Sequence, residues 1–193
     1  MVPPNSYTPD PTEVTTQLIP TESTIMHMVG DWLTEVALPA DWALIQGQQN
    51  RLPPPAQRFM VMQTITRRPL ATNRHVYGHT TTTITQPVEL AIQLTAYGDD
   101  AITTLGTIST LWRDPAAVSW FQQKRDDMAP INTGPIMQHS FITAEQQYED
   151  SATLTLLLII QTRLCRSAET ALALSMSSIR EVDLPSQPLS PIS

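Results

Sequence analysis

Three groupings of side chains in this sequence could do chemistry, and each has a plainer reading. His75 and His79 stand four residues apart, the spacing that sets two imidazoles on one face of a helix for a metal. Gly78 and the threonines that follow argue against a helix there, no glutamate lies between the histidines, and no third ligand is near. A solvated loop is the expectation. Glu145 and Glu149, with Asp150, form a candidate carboxylate pair for acid–base work. They flank an expected hairpin turn, where surface charge or a contact with another subunit explains them more simply. Cys165 is the sole cysteine, so no intrachain disulfide and no cysteine cluster can form, and no nearby histidine would activate the thiol. Ser109 and Ser140 lack the glycine-flanked turn of a serine nucleophile, and the six glycines are not grouped into a phosphate loop. No catalytic, metal or cofactor site is expected, and the sequence reads as that of a protein that is not an enzyme.

Arg67, Arg68 and Arg74 hold three of the eleven positive charges within eight residues. Such a cluster could meet a DNA phosphate or a carboxylate on a neighbouring protein. The chain as a whole carries a formal charge of −7. That balance opposes a protein built to grip nucleic acid, which needs a basic footprint, and it favours the carboxylate. Charged residues make up only 15% of the chain, and Thr, Ser, Gln and 17 prolines fill the difference. Uncharged polar groups are less costly to desolvate than ions, so this surface suits burial against neighbours. The N-terminus has no basic segment leading into an apolar run, so no secretion signal is expected. The longest aliphatic stretch, Leu156 to Ile160, is far too short to span a bilayer. Synthesis in the cytosol fits the lone thiol.

The elements that must position these residues alternate between helix and strand. Residues 1–20 hold five prolines and no apolar periodicity, and read as an extended N-terminal arm. Ile25, Met28, Val29, Trp32, Leu33 and Val36 form the stripe of an amphipathic helix, with Thr21 as N-cap and Pro39 closing it. A short strand from Trp42 to Gln46 and a second from Phe59 to Thr66 follow, separated by a proline-rich loop. Residues 67–79 read as a polar connection, and Thr80–Gln86 as a strand that Pro87 interrupts. Val88 to Tyr97 alternates cleanly, Gly98 ends it, and Asp99 is expected to cap a helix bearing Leu105, Ile108 and Trp112. Asp114-Pro115 starts a shorter helix, and residues 126–135 read as a loop. The last hairpin runs from Ile136 to Ile142 and from Gln147 to about Thr162. A short helix at Ser167–Leu174, an edge strand at Met176–Val182 and a proline-bearing C-terminal arm, 184–193, complete the reading. Helices on one face of a mainly antiparallel sheet make a single α+β domain, 21–183, between two arms.

Arg68-Pro69-Leu70-Ala71-Thr72-Asn73 is similar to the segment between the first two sheet strands in the tail-terminator (tail-completion) proteins of tailed bacteriophages. Gln86 to Leu94, followed by Tyr97-Gly98, resembles their central strand and glycine stop, and Ser109 to Asp114 the end of their main helix. Phe141 to Glu149 is the most specific match, and Arg180-Glu181-Val182-Asp183 resembles the closing strand. The matches run in order over roughly 25–183, with a connection after Asn73 shorter than the family's acidic loop. The resemblance implies a structural virion protein: a ring, usually six-fold, that caps the tail tube and joins it to the head–tail connector. Its partners would be itself, the tail tube protein and the connector, with genomic DNA only as a passing strand and no membrane. Arg67, Arg68, Arg74, Glu145 and Glu149 are then candidate subunit contacts. The alternative is another connector or a tail-tube subunit on a similar scaffold. A small hydrolase comes third, without a motif.

Overall fold

The computed structural model describes residues 15–47, 58–142 and 148–167. In chain order the elements are β1 (Thr15–Ile19), α1 (Glu22–Trp32), β2 (Ala43–Gln46), β3 (Phe59–Pro69), β4 (Arg74–Tyr77), β5 (Thr81–Tyr97), α2 (Ala101–Trp112), α3 (Pro115–Lys124), β6 (Met128–Thr133), β7 (Met137–Ile142) and β8 (Tyr148–Ser167). A π-helical turn, Leu33–Ala37, continues α1 before Pro39.

β5 and β8 form the long central pair, antiparallel from Thr81↔Ser167 to Tyr97↔Ser151. The even-numbered residues of both strands share one face, and from Val88 to Ala96 and from Ala152 to Ile160 they are apolar and buried. This is the alternation the sequence carries, and the three helices cover that face. The other edge of β8 is lined end to end by β7, β6 and β1. The other edge of β5 takes β3 and then β4, and β2 joins β3 at the margin. All these pairs are antiparallel except β2–β3. The fold is therefore the expected α+β sheet with helices on one face.

The core between sheet and helices is aromatic. Trp112 meets Trp32 edge-on at 4.9 Å between ring centroids and Phe121 edge-on at 5.6 Å, the arrangement aromatic quadrupoles favour. The Trp112 indole donates to the Leu157 carbonyl at 3.2 Å, beside the point where the register of β6 slips between Pro130 and Asn132. Two helix starts follow the expected capping chemistry. The Thr21 hydroxyl accepts from the Thr24 amide, and the Asp114 carboxylate accepts from Ala116.

Several expected boundaries move. The connection 67–79 is largely strand, because β3 continues to Pro69 and β4 follows. Pro87 does not interrupt its strand. The Leu70 amide donates to the Pro87 carbonyl on the β3 side. The missing N–H of Pro87 would face that same side, just past the last β3–β5 pair, so its absence removes no bond between β5 and β8. The expected loop 126–135 contains β6, whose bulge accommodates Pro130. β8 runs to Ser167 rather than Thr162, as β5 supplies a partner over that whole length. The cap of α2 is Asp100 in the left-handed conformation (φ 63°), not Asp99, and its carboxylate pairs with Arg58 at 3.5 Å instead of bonding the helix amides. At the end of the expected N-terminal arm, Thr15–Ile19 pairs with β8. The expected helix at 167–174, the strand at 176–182 and the C-terminal arm fall beyond the described residues. Among those described, no helix is long and apolar enough to cross a membrane.

Candidate functional site

The groupings with chemical potential are dispersed by the fold. His75 lies on β4 opposite Ile84, in a strand and not a helix, and stacks on Tyr77 at 6.0 Å. His79 follows in the turn to β5. Among the described residues no three His, Cys, Asp or Glu side chains could share a metal ion. Ser109 exchanges a hydrogen bond with Thr133 at 2.8 Å. Cys165 is buried with its sulfur 3.7 Å from the Thr83 hydroxyl. His27 is exposed on α1, and His139 contacts the Thr153 hydroxyl at 3.3 Å. Of the candidate carboxylates, Glu145 lies outside the described residues, and Glu149 stands on β8 opposite Phe141.

The arginine cluster separates into two kinds. Arg68 stands opposite Glu89, and its Nε and Nη2 both donate to Glu89 Oε1, at 3.1 and 2.9 Å. Arg67 and Arg74, on the exposed end of β3 and the start of β4, make no ion pair among the described residues. Their neighbours across the sheet include two arginines that sequence proximity does not reveal. Arg163 faces Thr85, which faces Arg74 on its other side; Arg166 faces Thr82, which faces Tyr77. The alternation Arg163-Leu164-Cys165-Arg166 belongs to a strand that the sequence reading stops at Thr162, so these two escape the cluster. The strand segments Arg67–Pro69, Arg74–Tyr77, Thr81–Glu89 and Gln161–Ser167 thus carry five arginines and a single carboxylate, Glu89. The Thr85 hydroxyl, between Arg74 and Arg163, is buried without a hydrogen-bond partner.

Elsewhere several charges are paired. Arg58 reaches Asp41 at 3.4 Å and Asp100 at 3.5 Å, and Lys124 holds Glu35 at 3.0 Å while lying 3.9 Å from the centre of the Trp120 ring. Arg125 grips Asp127 through bonds of 2.8 and 2.6 Å. The Asp127 hydrogen bond raises the Arg125 pKa above its ordinary value, against the desolvation that lowers it.

The sheet face away from the helices is different in kind. The rows from Tyr97 to Ala91 present Val61, Gln63, Gln93, Thr95, Thr155 and Leu157 and no charged side chain. Gln63 donates to Gln93 across this face at 3.2 Å. A groove of about 260 Å³ runs between α1 and β2, lined by Met26, Leu44 and Met62 with Asp31 and His27 beside them. The described surface offers places to pack and no assembled catalytic group.

A family model described as phage neck terminator protein matches residues 23–180, from the first turn of α1 past the end of β8. No curated protein matches the chain.

Proposed function

We infer the role of this chain from its family: it belongs to the phage neck terminator proteins, structural components of the phage neck. The proposed form is a closed ring, six-fold, that caps the finished tail tube and joins it to the head–tail connector, within the virion. The observation that carries this reading is the pairing of that family match with a sheet whose face away from the helices is uncharged across the rows from Tyr97 to Ala91. Such a face is inexpensive to cover, since it holds few groups that must give up strong hydration. A closed ring also covers strand edges that would otherwise recruit further chains.

In this assembly residues 1–14, ahead of β1, and 184–193 act as arms lying on neighbouring chains or on connector subunits. Arg67, Arg74, Glu145 and Glu149 make contacts between subunits, and Arg68 enters them as one half of its pair with Glu89. Genomic DNA passes through the ring without being held. The second reading, a connector or tail-tube subunit, shares the neck setting and differs in what the purified protein builds.

Electron microscopy of the purified protein, alone and mixed with its tail tube, separates these. Discrete closed rings, or rings seated on tube ends, support the terminator reading. Long polymerised tubes would replace it with a tube subunit, and particles that remain monomeric in both samples would remove the ring.

A further inference from the structure

The far end of the β5–β8 ribbon is basic in an acidic chain. Five arginines and one carboxylate lie on its strand segments, while the chain as a whole has a charge of −7, so the remainder of each molecule is more acidic than the whole. The cations occupy both faces. Arg74 and Arg163 flank Thr85 on the face away from the helices, three adjacent strands wide, and Arg68 lies on that same face two rows further in, opposite Glu89. Arg67, opposite Leu90, and Arg166, in the row of Tyr77 and Thr82, point to the other face. The Arg125–Asp127 pair and Asp126 border the region where the Gln161 amide bonds the Asp127 carbonyl.

Charge alone would suit a nucleic acid or a protein. The side chains among the arginines decide between them. Leu70 is 41% exposed, Val76 48% and Tyr77 76%, all on the same loop and strand as Arg67 and Arg74. Phosphates have no use for exposed aliphatic groups, whereas arginine and tyrosine set among apolar side chains are the composition of a protein interface with buried anchors. The partner that is always present with an excess of carboxylates is another molecule of the same sequence.

We propose that the basic end of the ribbon docks on the acidic surface of a second copy of this chain, with Arg74, Arg163 and Val76, which share one face, as its principal contacts; the inference rests on the ring reading above and supplies the polarity of its interface. The contact is heterologous, basic end to acidic body, which is the kind that closes into rings rather than pairing face to face.

The test uses the full chain, with and without tail tube, and follows assembly by native mass spectrometry and sedimentation over a range of salt. The Arg74→Glu/Arg163→Glu variant should need at least roughly tenfold more protein to assemble at low salt, and the wild type should lose much of that advantage as salt rises. Val76→Ser removes an apolar side chain that is half in solvent on the face of Arg74 and Arg163, so it should leave the thermal transition in place and still weaken assembly. Assembly by both variants at wild-type concentrations overturns this inference and leaves the ring itself standing. A wild-type chain that never assembles overturns both. Fluorescence anisotropy with duplex DNA completes the test. Tight, salt-sensitive binding that the double variant loses, with assembly unchanged, assigns the surface to DNA and overturns the proposal.

Discussion

Arg68 faces Glu89 because β3 slips its register by one residue between Thr64 and Thr66. Before the slip Thr64 stands opposite Ile92; after it Thr66 stands opposite Ala91, and the parity of every later residue is reversed. Without the bulge Arg68 would stand opposite Val88 on the helix face, and Arg67 would take its place opposite Glu89. Arg68 is largely in solvent, so the pair itself contributes little, about 1 kcal/mol or less. Arg68→Ala should therefore lower the urea-unfolding free energy by no more than that. Arg68→Glu sets two carboxylates opposite each other and should cost more. A loss of several kcal/mol in the alanine variant would mean the pair locks the register.

Trp112 unites three parts of the core: Trp32, Phe121 and, through its indole N–H, the Leu157 carbonyl. Trp112→Phe keeps most of the ring volume and leaves the carbonyl without its donor, for an expected cost of about 1–3 kcal/mol. Trp112→Ala opens a cavity as well and should cost about 3–5 kcal/mol. Denaturant melts with an unchanged m-value would check both. Equal losses in the two variants would show that the hydrogen bond, not the packing, carries the site.

Two glycines should respond in opposite directions to the same change. Gly98 has a φ of 110°, and a Cβ there would meet the Arg58 side chain at 3.0 Å. Gly98→Ala should destabilise by about 1–3 kcal/mol and disturb the Arg58 contacts with Asp41 and Asp100. Gly106 lies within α2, and a Cβ added to it would have open space for 4 Å around, so Gly106→Ala should stabilise by about 0.5–1 kcal/mol. Thermal melts of the two variants are the measurement. A destabilising Gly106→Ala would reveal a neighbour crowding that helix in the assembled protein.

The strands most legible in the sequence were those with one buried face, since Val88–Ala96 alternates and Leu154, Leu156, Leu158 and Ile160 share one side. The same holds for the helices whose caps are local chemistry, Thr21 and Asp114. What the sequence hid was set by partners. β4 has no buried residue, and exists because β5 offers an edge beyond the end of β3. β6 contains Pro130 and reads as a loop, and exists because β8 offers another. Pro87 looked like a break because the sequence does not show that its missing N–H faces the β3 side, where that strand ends. The basic surface was half visible for the same reason. Arg67, Arg68 and Arg74 are close in sequence, while Arg163 and Arg166 join them only through the pairing of β5 with β8.

The N-terminal segment provides the last test, because the structure divides it. Residues 15–19 pair with β8 along Arg163–Cys165, and Pro20 is buried. Residues 1–14, which hold four prolines, precede that strand. Removing 1–14 should leave the thermal transition within about 2 °C of the full chain, since a domain of this size shifts by about 2–4 °C per kcal/mol. Removing 1–20 strips the partner from the end of β8 and uncovers Cys165, and should lower the transition by several degrees. Both truncations should weaken assembly if the first residues lie on a neighbouring chain, because an extended segment gains its contacts only when bound. Differential scanning calorimetry paired with native mass spectrometry reads the two effects separately. Full assembly by the chain lacking 1–14 would show that these residues are not part of the contact between subunits.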